Sequence, residues 1–163
     1  MVNRQVWITL LFVSVLCGGA QSAAAQMSEN ELNHLLDTTE RLLPRWELAL
    51  RQIDPSKNSS ISYQVGKVFE INYRMGREQV RGAHETIDRL RHHRTVSDEL
   101  ALRDNLWTLR EVASAVVDAP ESSSSVVDDF VYLMRETSPV ENRLVSEVMT
   151  RIGELESSCG ASK

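Results

Sequence analysis

Beyond residue 27, every long segment of the chain repeats apolar residues three and four positions apart, and none alternates apolar with polar residues. A period of 3.6 belongs to a helix with one apolar stripe, whereas a half-buried strand has a period of two. The first segment carries Leu32, Leu35, Leu36, Leu42, Leu43, Trp46, Leu50 and Ile53. The second carries Ile61, Val65, Val68, Phe69, Tyr73, Val80, Ala83, Ile87 and Leu90 over about 61–93. A third carries Leu102, Leu106, Leu109, Ala113 and Val116, with Trp107 beside the stripe. Two shorter segments follow, Val126, Val127, Phe130, Leu133 and Met134, then Val140, Leu144, Val148, Ile152 and Leu155. Such stripes must be buried against one another, and short polar links between them favour antiparallel neighbours. The chain is therefore expected to be all-α, an antiparallel bundle of four to five helices. Trp46 and Trp107 are both expected in its core.

Local signals set the expected ends. Ser28-Glu29-Asn30-Glu31 is a capping box, in which hydroxyl and carboxylate each satisfy a free backbone N–H. Pro44 removes a donor and crowds the preceding turn, so it predicts a kink near Glu40. Asp54-Pro55 ends the first helix, and 56–60 reads as a linker. Gly66, Gly76 and Gly82 weaken the second helix but allow a neighbouring helix to approach closely. Thr95, with Asp98 and Glu99 in the first turn, restarts the chain, and Asp118-Ala119-Pro120 stops it. A second linker spans 121–125. Ser138-Pro139-Val140-Glu141 places a cap, a proline at the first helical position and a nearby glutamate, predicting a new helix start there, with the last two helices stacked as one broken arm.

The first 25 residues follow a different logic. Arg4 is their only charge, and an apolar run from Val6 to Cys17 leads to the small-residue stretch Ala20-Gln21-Ser22-Ala23-Ala24-Ala25. That pattern is a secretory signal peptide, with cleavage before Gln26. Twelve apolar residues rise only about 18 Å as a helix, short of the roughly 30 Å hydrocarbon core. Leu16 is too large to precede a lipidated Cys17. The expected organisation is a signal peptide over 1–25 and one helical-bundle domain over 26–163, secreted or periplasmic. No later segment is apolar enough to span a membrane. After cleavage Cys159 is the sole cysteine, able to pair with another chain in an oxidising compartment. Asn58-Ser59-Ser60 fits the glycosylation acceptor pattern.

Chemistry is sparsely signalled. The net charge of −5 argues against a nucleic-acid partner. The chain lacks C-x-x-C-H, G-x-S-x-G, the Walker loop, H-E-x-x-H and the dinucleotide glycine turn, so nothing requires a cofactor. The expected role is a non-enzymatic binding module for a protein or other envelope component. An all-α enzyme with an active site assembled from remote side chains is one alternative. The other is a divalent-metal protein: His84, Asp88 and His92 fall four apart on one helical face, with ligand types suited to Zn²⁺ or Cu²⁺. Three such ligands span about 12 Å along the helix, so a site needs two of them plus a ligand from another helix. Arg74, Arg77 and Arg81 form a candidate patch for an anionic partner. The competing reading is internal pairing, Arg74 with Glu78, Arg81 with Glu85 and Arg89 with Glu85, with the acidic last arm beside the basic second helix. Asp128-Asp129 and Glu154/Glu156 read as solvated acids.

Overall fold

A computed structural model describes residues 27–56, 62–120 and 122–160. The signal peptide with its cleavage point, the glycosylation pattern at Asn58, and Ile61 lie outside the described residues, as do the side chains of Leu155 and Cys159. The described residues form four helices, α1 (Glu29–Gln52), α2 (Tyr63–His92), α3 (Val96–Val117) and α4 (Ser124–Gly160), and no strand.

Each helix lies against the next, and α4 closes the ring on α1, leaving α1 diagonal to α3 and α2 diagonal to α4. Cross-helix pairs show that neighbours are antiparallel. Arg91 at the end of α2 meets Asp37 and Glu40 early in α1. Arg89 meets Asp98 at the start of α3, and Gln52 at the end of α1 meets Asp129 at the start of α4. The diagonal places the acidic last arm away from α2 and corrects the expectation that the two lie side by side. Arg94, in the α2–α3 connection just past α2, does reach α4, through Glu147.

The expected caps form. Ser28 Oγ accepts from the Glu31 backbone N–H at 3.2 Å, and Glu31 accepts from the Ser28 N–H at 2.8 Å. Thr95 Oγ1 accepts from the Asp98 N–H at 3.0 Å. Two glycines serve as contact points. A Cβ on Gly76 would stand 2.5 Å from Leu50 Cδ2, and one on Gly82 would stand 2.9 Å from Asn105 Oδ1. The stripes fill the core, in which Trp46 is wholly buried, tilted 59° against Phe130 with centroids 6.1 Å apart. Its indole N–H donates to Thr137 Oγ1 at 3.2 Å.

The structure departs from three expectations. Ser138-Pro139 does not begin a helix, because α4 runs through both. Val126, Phe130, Leu133, Thr137, Val140, Leu144 and Val148 are all buried in one continuous register of threes and fours. A break at Ser138 would turn half of that stripe off the core, so burial outweighs the local start signal. Trp107 is 45% exposed rather than core. It shares the outer line of α3 with Leu100, Asp104, Glu111 and Ser114, and Leu106 takes the inward place beside it. Val68 and Ile152, read as stripe residues, are also exposed. As expected, α1 runs through Pro44 and ends just before Asp54-Pro55.

Candidate functional site

Two polar assemblies stand out, near opposite ends of the bundle. The first joins the start of α1, the α2–α3 connection and the late part of α4. Glu99 and Glu147 are both fully buried. Arg94 bridges them, Nε to Glu99 Oε1 at 2.6 Å and Nη2 to Glu147 Oε1 at 2.5 Å. Arg151 adds a second guanidinium on Glu99 Oε1 at 3.0 Å. The main chain of Met27 is held on both sides, its N–H donating to Glu147 Oε2 at 2.6 Å and its carbonyl accepting from Arg94 at 2.8 Å. Among the described residues Glu99 Oε2 has no hydrogen-bond partner. Two carboxylates matched by two guanidiniums meet the requirement that buried charge be paired. Because the Met27 main chain is held on both sides by this ion-paired cluster, the cluster reads as a lock that ties the start of the described chain to the bundle.

The second assembly is a cleft of ≈ 540 Å³ between α1 and α2, lined by Glu47 and Arg51 from α1, Asp54 just beyond its end, and Tyr73 and Arg77 from α2. Positions 47 and 51 share one face of α1, and 73 and 77 share the facing side of α2. Leu50 of α1 fills the space where a Cβ on Gly76 of α2 would stand, so the two helices approach closely there. Arg51 and Glu47 approach only to 4.0 Å. The Arg77 guanidinium lies 5.7 Å from the Tyr73 ring centroid and donates to the Tyr73 hydroxyl at 3.4 Å.

The residues singled out by sequence separate accordingly. In the basic patch, Arg74 pairs with Glu70 at 2.9 Å rather than with Glu78. Glu70 is held below the usual carboxylate range, mainly by a hydrogen bond from Lys67 and by that lysine's charge. Arg81 approaches Glu85 at 3.9 Å, and Arg89 takes Asp98 rather than Glu85. Among the described residues, Arg77 makes no carboxylate ion pair, and it is the patch member that lines the cleft. His84, Asp88 and His92 lie on the exposed face of α2. The His92 Nδ1 contacts the Asp88 carbonyl at 2.7 Å and its carboxylate at 3.9 Å. Among the described residues no group of three or more His, Cys, Asp or Glu side chains is placed to hold a metal ion. Asp128, Asp129, Glu154 and Glu156 are exposed, as expected of solvated acids.

Sequence reasoning missed the buried cluster and Arg51. Glu99 was legible only as a first-turn acid, and Glu147 as one more charge in an acidic arm. The one available signal for Glu147 was its place beside Val148 and Leu144 in the apolar register of α4. Comparison of the chain with protein-family models, curated proteins and solved structures found no match in any of the three.

Proposed function

We propose that this protein is an exported helical-bundle binding module, in which residues 1–25 are removed as a signal peptide and residues 26–163 engage an envelope protein without catalysis. The observation that carries the binding reading is Trp107. A large aromatic side chain left 45% exposed on the outer line of α3 costs solvation without contributing to the core. Exposed tryptophans of this kind are the residue type most enriched among interface anchors. Leu100, two turns away on the same line, adds apolar surface at 38% exposure. The export reading is supported by the place of Met27. It is buried and hydrogen-bonded through both its N–H and its carbonyl, so cleavage before Gln26 leaves the whole lock within the mature chain. No helix among the described residues is long and apolar enough to cross a membrane.

A photoreactive phenylalanine analogue placed at position 107, and separately at Glu78 as an exposed control, tests the reading in the protein's own host. The expected outcome is one discrete adduct from position 107 alone, with an exported partner. Purified, that partner binds the wild type at least tenfold more tightly than Trp107→Ala. N-terminal sequencing of the same material returns Gln26. No adduct, equal adducts from both positions, or equal affinity for Trp107→Ala overturns the binding reading, and an intact Met1 overturns export.

A further inference from the structure

We propose that the outer face shared by α3 and α4 docks against a second copy of this chain, α3 of each protomer lying over α4 of the other about a twofold axis parallel to the helices. The inference rests on the binding reading of Trp107 and names its partner. Among the described residues ten large apolar side chains are exposed, and six of them stand on this one face: Leu100 and Trp107 on α3, and Val131, Val145, Met149 and Ile152 on α4. Apolar exposure gathered in one place marks an interaction surface, whereas scattered exposed residues do not. Two ion pairs fix how the helices are levelled, Arg110 on Glu141 at 2.5 Å and Arg151 on Glu99 at 3.0 Å. At about 1.5 Å and 100° per residue, Trp107 comes level with Val145 on the solvent side of that seam, and Leu100 falls between Met149 and Ile152. Trp107 stands seven residues after Leu100, and Ile152 seven after Val145, the repeat by which one helix packs along another.

Levelling and charge select the second copy as the occupant. The twofold sets Trp107 of one protomer against Val145 of its partner, and Leu100 against Met149 and Ile152, so each apolar stripe meets another. Charges within the face are already matched inside the chain, Arg103 with Asp104 at 2.7 Å and Arg110 with Glu141, so covering them strands no ion. At the edges, Glu111 on α3 is exposed and makes no ion pair among the described residues. Arg135 on α4, 74% exposed, has only its neighbour Glu136, at 3.3 Å. Their levels differ by about 8 Å, within the reach of two long side chains, and the twofold places each across from the other. A twofold across the helices would instead set the acidic edge of α3, Asp104 and Glu111, against its own copy. From Val131 to Ile152 the face runs about 32 Å, and two helices abreast are about 20 Å wide. That is roughly 600 Å² before side-chain relief, against about 800 Å² per partner in a standard interface. The area suits a weak dimer, with an expected Kd of about 10–100 μM.

The test is sedimentation equilibrium of protein purified from its host, from about 1 to 500 μM, with a reductant so that Cys159 cannot link chains. The wild type is expected to pass from monomer to dimer over this range. Trp107→Ala and Val145→Glu should each weaken the dimer at least tenfold, and Leu48→Glu, at an exposed apolar residue of α1, should leave it unchanged. Glu111→Arg and Arg135→Glu should each weaken it about threefold, and the two together should restore it. All five side chains are exposed, so unchanged circular dichroism and Tm in dilute solution certify each variant as folded. Iodide should quench Trp107 freely in dilute solution and less than half as well in the dimer. The proposal is overturned by a monomer throughout the range, by Trp107→Ala or Val145→Glu associating as the wild type does, by equal weakening in Leu48→Glu, or by failure of the charge-reversed pair to restore association. An adduct from position 107 to a different exported protein, with this chain monomeric, overturns the dimer and leaves the binding reading standing. The absence of any adduct removes both.

Discussion

Replacing Glu147 by Gln is the most informative single perturbation of this fold. The carboxylate is fully buried and accepts two hydrogen bonds, from Arg94 at 2.5 Å and from the Met27 backbone at 2.6 Å. Glutamine keeps the shape but offers one acceptor where there were two, so its amide N–H₂ must face one of those donors. Each bond to a charged acceptor contributes about 1.5–3 kcal/mol, and removing one partner of a buried ion pair typically costs about 3–5 kcal/mol. Arg94 retains Glu99 and is 24% exposed, which moderates the loss on its side, while the Met27 N–H has Glu147 as its one acceptor among the described residues. We therefore expect about 3–4 kcal/mol, a large share of a total stability of about 5–15 kcal/mol. Urea unfolding followed at 222 nm should show a lower midpoint with an unchanged m-value. Combining Glu147→Leu with Arg94→Met should cost less than the sum of the two single changes by at least about 1 kcal/mol, since groups in one network couple. A loss below about 1 kcal/mol for Glu147→Gln, or strict additivity of the pair, would refute the claim that this cluster locks the bundle end.

Other expectations follow from single positions. Gly76→Ala should destabilise by about 1–3 kcal/mol, because the new Cβ meets Leu50 at 2.5 Å and overpacking outweighs the helix-propensity gain of about 1 kcal/mol. Gly153→Ala, with nothing within 4 Å, should instead stabilise by up to about 1 kcal/mol, and the opposite order in chemical denaturation would contradict the packing argument. Trp46→Ala should cost about 3–5 kcal/mol and remove a blue-shifted fluorescence component, whereas Trp107→Ala should cost less than about 1 kcal/mol and remove the component that iodide quenches. Asp98 is held below the usual carboxylate range, first by the Thr95 hydroxyl and then by Arg89. Its depressed folded-state pKa means that its contribution is present above about pH 4 and is lost as pH falls through the folded value. Asp98→Asn should therefore lower stability at pH 7 and flatten its acid limb in pH-dependent thermal melts.

What the sequence by itself determined is local. Capping at Ser28 and Thr95, helical periodicity from Leu32 to Leu144, and the glycines at which helices meet all depend on residues within a few positions of one another. Contacts of this range are the ones that a 3.6-residue period encodes. The tertiary structure decided what such a period cannot carry. The spacing within α3 puts Leu106 on the inward stripe, but how far Trp107 beside it is covered depends on where the neighbouring helices sit. Ser138-Pro139 is a sound local start, overruled by a stripe that stays buried from Val126 to Val148. The lock joins residues as far apart as Met27 and Glu147, 120 positions in the chain, and the cleft pairs Arg51 with an arginine of the next helix. Buried charge is expensive alone and tolerable only in partnership, and partners so distant in sequence are supplied by the fold.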